Sequence, residues 1–167
     1  LAICTNIHAN HLDRHGTMDA YIQAKMAITA RQKPGQKSLF PVSMYNQVIH
    51  QKTGGTPSFF SSGQGHFNSD FYPVYFLRNA KFCMNYQTNT QEIFDLIELP
   101  WVSYEENIII LAAALHTLGL NFEHFTRVLN EQELPEHRLE KVASFAHIDF
   151  YNDSKATVPE STLTALA

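Results

Sequence analysis

The sequence predicts an α/β fold, and three observations lead there. Short apolar runs at Leu1-Ala2-Ile3-Cys4-Thr5 and from Lys37 to Ser43 read as strands. Stretches with helical apolar spacing follow over 17–31, 104–118 and 122–131. The 167 residues are 44% hydrophobic and 17% charged, an ordinary globular mix that argues against disorder, collagen-like repeats or a coiled coil. A chain of this length buries roughly two thirds of its surface on folding.

Composition also excludes functions. A formal charge of −4 and a pI near 6.1 give no electrostatic footprint for nucleic acid or an anionic membrane. No run of about 18 apolar residues exists, so no transmembrane helix is expected. Cys4 and Cys83 make neither a disulfide framework nor a CxxC site, and read as buried thiols of a reducing compartment. Two features stand out. There are nine histidines. The chain also opens on an apolar strand and closes inside an apparent helix, so it is expected to be a piece of something longer.

The elements follow in order. Residues 1–7 read as a buried strand, and the polar stretch 6–16 leads into a helix N-capped by Thr17 and running to about Arg31. Lys33-Pro34-Gly35 stops it. A second strand, Lys37 to Ser43, precedes a short amphipathic helix to about Lys52 and a turn at Thr53-Gly54-Gly55-Thr56-Pro57. Four runs, Ser58–Ser61, Tyr72–Leu77, Lys81–Tyr86 and Glu92–Leu99, alternate with polar turns and predict antiparallel hairpins from Pro57 to Trp101. Helix 104–118 places Ile108, Leu111, Leu115 and Leu118 on one stripe and ends at Gly119. Helix 122–131 turns Phe125, Val128 and Leu129 inward. Leu134-Pro135-Glu136-His137-Arg138 reads as a linker, Ala146 to Tyr151 as a strand, and Thr157-Val158-Pro159-Glu160 as a capping box opening a helix.

Three constellations carry possible chemistry. His8, His11 and His15 have helical spacing for a transition metal, but no HExxH or fourth ligand accompanies them, and a polar loop at a strand's carboxyl end is the commoner outcome. That end is also where open α/β sheets bind ligands. Lys25 falls on the apolar stripe of Met18, Tyr21, Ile22 and Ile28. It must snorkel, pair, or lose charge and become a reactive amine. Asn152-Asp153-Ser154-Lys155-Ala156-Thr157 joins a strand to a capped helix. It reads either as an Asx turn with solvated charges or as an anion site at a helix start, with Lys155 as a point charge. No GxxxxGK(S/T) loop and no GxSxG elbow is present, so this chain alone lacks the parts to hold a nucleoside triphosphate tightly.

Taken in order, four segments resemble the Mur ligase family. Thr5-Asn6-Ile7…His11-Leu12-Asp13-Arg14-His15-Gly16 resembles its metal-histidine segment. Tyr21-Ile22-Gln23-Ala24-Lys25-Met26-Ala27-Ile28 resembles the helix bearing its carbamylated lysine. Leu134 to Glu140 resembles the hinge to its C-terminal domain. Asn152 to Thr157 resembles the signature of the D-glutamate-adding branch, whose sisters carry a DYxH-type motif there. The resemblance spans nearly the whole chain, with residues 41–100 alike only in texture.

The resemblance implies a fold and a chemistry. Residues 1–133 would be the C-terminal part of a three-layer ATP-binding central domain, a mostly parallel sheet with flanking helices and an antiparallel hairpin region. Residues 134–167 would be the hinge plus the first strand and helix of a Rossmann-like, amino-acid-binding C-terminal domain. A P-loop and a UDP-binding domain would lie upstream. The activity implied is ATP-dependent addition of D-glutamate to UDP-N-acetylmuramoyl-L-alanine through an acyl phosphate, in peptidoglycan biosynthesis, by a cytoplasmic, monomeric enzyme that binds neither nucleic acid nor membrane. Mg²⁺ would occupy two sites, with His11 and a carbamate on Lys25 among the ligands. The resemblance makes Asn107, Arg138, Asp153 and Lys155 nucleotide contacts. Lys155 would also lie near the transferred phosphate, and Thr157 would hold a D-glutamate carboxylate.

The chain also departs from the family pattern. Ala9 and Asn10 stand where Glu-Asp is common before the metal histidine, Ser103-Tyr104-Glu105-Glu106-Asn107 keeps only the last asparagine of His-Asn-x-x-Asn, and Val158 replaces a frequent Asn. Another Mur or folylpolyglutamate-type ligase, or a non-catalytic binding module, are the competing readings.

Overall fold

The computed structural model describes residues 1–7, 12–51, 54–62, 71–95, 105–123, 125–131, 135–156 and 162–163. They fall into two compact units. One holds the described residues of 1–97 and 105–122, the other those from 123 onward.

The first unit opens with β1 (Ala2–Ile3), a short turn of helix α1 (Leu12–His15) and helix α2 (Met18–Met26). Thr17 caps α2 as expected: its extended backbone lets the side-chain oxygen accept the Ala20 N–H at 3.2 Å. The helix then tightens into a 3-10 turn, Ala27–Thr29. Three residues per turn replace 3.6, so Met26 and Thr29 take the buried positions and Ile28, expected on the stripe, is exposed. The turn at Lys33 to Gln36 leads into β2 (Lys37–Pro41), then helix α3 (Tyr45–His50) and β3 (Thr56–Ser61). Gly54 lies so close to the earlier turn that a Cβ there would stand 2.1 Å from the Gln32 carbonyl oxygen, which is why no side chain fits. β4 (Val74–Arg78), β5 (Lys81–Tyr86), β6 (Asn89–Asp95) and helix α4 (Glu105–Thr117) complete the unit.

The six strands form one sheet in the order β1-β2-β3-β4-β5-β6. The first four are parallel, and β5 and β6 run back antiparallel. The expectation of hairpins from Pro57 onward is therefore corrected at its start, because β3 pairs parallel to both β2 and β4. Buried on both faces from Pro57 to Phe60, β3 has the continuous apolar run of a central parallel strand. Among the described residues β1 pairs only with β2 and is an edge.

Phe40, Phe59 and Val74 stand side by side across β2, β3 and β4. Cys4, Met26, Met44 and Val48 pack on them, which seats α2 and α3 on that face. α4 packs on the other face, against β2, β3 and β4. It buries Ile108, Ile109, Ile110, Ala112, Ala113 and Ala114. The small alanines let the helix approach the sheet, and this face displaces the expected leucine stripe: Leu111 and Leu118 are exposed. The C-terminus of α4 is a Schellman cap, as the sequence predicts. Gly119 sits at φ +68°, its N–H donates to His116 O, and the Leu120 N–H donates to Leu115 O, each at 3.0 Å.

The β4–β5 turn is made by Asn79 and Ala80, at φ +52° and +57°. Both residues of such a tight turn are left-handed, which glycine adopts far more readily than alanine. Ala80→Gly is expected to stabilise the protein by about 0.5–1 kcal/mol. Urea unfolding checks it, and an unchanged or lower midpoint contradicts the turn geometry.

The second unit contains α5 (Phe125–Glu131), β7 (Glu140–Phe145) and β8 (Ile148–Asn152). In α5, Phe125 and Leu129 are buried as expected, whereas Val128 is exposed. β8 is the strand expected before the Asn152 signature. It pairs antiparallel with β7, a strand not expected from the sequence. One face of this hairpin carries Lys141 paired with Asp149 at 2.9 Å, and the other carries Phe145, Ile148 and Phe150.

Candidate functional site

His8 to His11, Thr53, Trp101 and the capping box from Thr157 to Glu160 lie outside the described residues. Two of the expected site residues, His11 and Thr157, are therefore not described.

Lys25 lies in the last turn of α2, half-buried, with its Nζ 5.5 Å from the centroid of the Tyr21 ring. Tyr21 is itself buried, with the His15 ring centroid 5.2 Å from its own. The ammonium also acts on Cys4, just past β1. Burial pushes the Cys4 thiol up from its ordinary value, and the Lys25 charge opposes that shift. Lys25 is thus stationed near the carboxyl end of the first strand, where open sheets bind ligands.

Asn107 is exposed in the first turn of α4, beside Glu105, whose carboxyl is pushed up by burial. At the other end of α4 a polar pair escaped the sequence reading. Tyr75 Oη lies 3.0 Å from His116 Nδ1 and 3.5 Å from Thr117 Oγ1, and the Tyr75 ring stacks on Phe82. Burial pushes the His116 ring below its ordinary value. The folded state then holds fewer protons than the unfolded chain once the pH falls below about 6.5. His116 stability is complete above that pH and is lost on acidification through the folded-state value. His116→Gln is expected to flatten the fall of melting temperature between neutral and mildly acid pH, and an unchanged slope would exclude His116 as its source.

The remaining three expected residues come together in the second unit. The turn after β8 and the loop before β7 are tied by backbone and side chain. The Lys155 N–H donates to His137 O at 3.2 Å, and the Leu139 N–H donates to Asp153 Oδ1 at 3.2 Å. Asp153 Oδ2 is buried with no hydrogen-bond partner among the described residues. The Arg138 and Lys155 side chains are exposed. This arrangement offers two cations and one carboxylate oxygen unpaired among the described residues, on adjoining loops. The joining of residues 137 and 139 to residues 155 and 153 could not be read from the sequence, because it depends on the unexpected β7.

Among the described residues no three His, Cys, Asp or Glu side chains converge to hold a metal. No described helix is long and apolar enough to cross a membrane.

Known proteins resemble this chain in sequence and in fold. The chain resembles the UDP-N-acetylmuramoylalanine–D-glutamate ligase of Symbiobacterium thermophilum, 29% identical over 181 residues, covering 99% of this chain and 36% of that protein. The enzyme of the same description from Latilactobacillus sakei is 31% identical over 167 residues, covering 99% and 35%. The chain thus spans about a third of the length of these relatives. Among solved structures, MurF from Acinetobacter baumannii matches with a TM-score of 0.66 at 18% identity, covering 98% of this chain and 35% of that one. MurF ligase from Thermotoga maritima, in complex with ADP, matches at 0.61 and 16%, covering 99% and 38%. At these identities the structures share the fold: a mixed, mostly parallel sheet between helices. The model of the Mur ligase middle domain matches residues 1–115, most of the chain and all of the parallel sheet, and on that match the chain belongs to the Mur ligase family.

Proposed function

We propose that these residues work within a longer cytoplasmic ligase that adds D-glutamate to UDP-N-acetylmuramoyl-L-alanine at the expense of ATP. Residues 1–133 would be the latter part of its ATP-binding middle domain, and 134–167 the hinge and opening of its amino-acid-binding domain. The observation that carries the branch assignment is the Asn152-Asp153-Ser154-Lys155-Ala156-Thr157 signature, found in a chain whose curated relatives bear the D-glutamate ligase name.

The reaction proceeds in two displacements. The L-alanine carboxylate attacks the γ-phosphorus of ATP and forms an acyl phosphate with release of ADP. The D-glutamate amine then attacks the acyl carbon, and phosphate leaves from the tetrahedral intermediate. Such chemistry needs positioning and charge stabilisation more than covalent help. Arg138 and Lys155 supply positive charge for the phosphates, and Lys155 stabilises the transferring group. Asp153 Oδ2, buried without a partner among the described residues, suits a ligand hydroxyl. Asn107 contacts the nucleotide, and Thr157 holds a D-glutamate carboxylate. His11 and a carbamate on Lys25 belong to the proposal as magnesium ligands, because the family resemblance implies them. When bound, magnesium neutralises phosphate charge. Of these two ligands Lys25 alone is among the described residues, and the contribution derived from this chain is binding and orientation.

The full-length protein, given ATP, magnesium, UDP-N-acetylmuramoyl-L-alanine and single amino acids, is expected to release phosphate with D-glutamate. Release with another amino acid and none with D-glutamate would place it in a sister branch, the Mur or folylpolyglutamate-type alternative. No release with any would favour a non-catalytic binding module.

A further inference from the structure

Arg138 stands on the loop before β7 between two residues in unusual backbone conformations. His137 and Leu139 have φ of +67° and +46°, left-handed values that residues with a Cβ keep only where the surroundings hold them. The Arg138 side chain is exposed, so the backbone at its base sets the direction in which it leaves the loop.

Three consecutive N–H groups hold that backbone. The Arg138 N–H donates to Pro135 O at 3.1 Å, within the loop itself. The Leu139 N–H donates to Asp153 Oδ1 at 3.2 Å. The His137 N–H donates to Glu140 Oε2 at 2.8 Å, the shortest bond of the three. The His137 carbonyl in turn accepts the Lys155 N–H at 3.2 Å.

Asp153 and Lys155 already belong to the candidate site, and Glu140 does not. It is the first residue of β7, half-buried, and its backbone is paired with Asn152 across the hairpin. The hairpin therefore fixes the base of the carboxylate, and the carboxylate fixes the main chain that enters Arg138. A glutamate reaching back three residues to a backbone N–H is also the reach used in a helix capping box, here placed ahead of a strand. An ionised acceptor makes such a bond stronger than a neutral one does. Glu140 Oε2 also lies 3.4 Å from the ring Nδ1 of His137. That longer contact engages the ring, whereas the backbone bond holds the main chain one residue before Arg138.

We propose that Glu140 is a positioning residue for Arg138: its carboxylate holds the His137 N–H, locks the left-handed backbone there, and so aims the guanidinium at a nucleotide phosphate. The inference rests on the reading of Arg138 as a nucleotide contact.

The test uses the full-length protein with Glu140→Ala, Glu140→Gln, Arg138→Ala and the Glu140→Ala/Arg138→Ala double variant. Glu140→Ala should raise the KM for ATP about tenfold with kcat within about twofold, the split expected of lost positioning. Glu140→Gln keeps an acceptor oxygen without the charge and should stay within about threefold of the wild type. In the Arg138→Ala background, Glu140→Ala should add nothing, because the residue it positions is gone. The same cycle read as the Kd for ADP requires no turnover. Amide hydrogen exchange at His137 should be faster in Glu140→Ala than in the wild type or Glu140→Gln. If Arg138→Ala leaves both KM and Kd unchanged, the reading of Arg138 is overturned, and the proposal with it. If Arg138→Ala weakens binding and Glu140→Ala does not, the proposal alone is overturned. Full additivity of the two substitutions also overturns it, because that is the pattern of a general loosening of the hairpin. So does a Glu140→Gln protein as impaired as Glu140→Ala, which would assign the effect to the charge beside the His137 ring.

Discussion

Lys155→Ala in the full-length protein is expected to lower kcat by about 10²–10³-fold, the range for removing one preorganised charge from a developing anion. The backbone of Lys155 is fixed because its N–H is bound to His137 O, while the side chain is exposed. A cation anchored at its base and free at its tip can meet a transferring phosphate without reorganising the loop. Lys155→Arg keeps the charge but changes its shape and reach, so it should recover only part of the loss. The check is steady-state phosphate release, read as kcat and KM separately. A Lys155→Ala enzyme with a raised KM and full kcat would make Lys155 a binding residue with no hold on the transition state.

Phe59→Ala should cost about 3–5 kcal/mol of stability, the range for an aromatic side chain lost from a packed core. Phe59 is fully buried in the middle of the parallel sheet. It stands in register with Phe40 and Val74 and meets the Tyr45 ring at 4.8 Å and the Tyr72 ring at 6.0 Å between centroids. No neighbour can collapse into the space without breaking that row, so the cavity persists. The transition of the domain that carries this chain should fall by about 6–20 °C. A loss under about 1 kcal/mol would mean that Phe59 is not at the centre of the core.

Features with local causes were legible in the sequence. Thr17 announces α2 because a hydroxyl at that position satisfies a helix N–H, and Gly119 ends α4 because only the left-handed cap closes its carbonyls. Features set by partners were not. Ser58 to Ser61 is a strand in either direction, and only its neighbours β2 and β4 make it parallel. β7 escaped notice because its turn with β8, Ala146-His147, carries no Asn-Gly signal although both residues are left-handed. Leu111 and Leu118 have the right spacing for a stripe, yet α4 turns its isoleucines and alanines to the sheet. The site divides the same way. Lys25 was marked by an unusual position on an apolar helix face. The grouping of Arg138, Asp153 and Lys155 followed only once the hairpin brought residues 137–139 against 152–155.

The acyl phosphate leaves a mark that no other route does. The L-alanine carboxylate of UDP-N-acetylmuramoyl-L-alanine can be labelled with ¹⁸O and supplied to the full-length protein with ATP and D-glutamate. The oxygen that bonds to phosphorus departs with it, so the released phosphate should carry one ¹⁸O atom for each amide bond formed. Unlabelled phosphate, or labelled phosphate released when D-glutamate is replaced by another amino acid and not when it is present, would contradict the account.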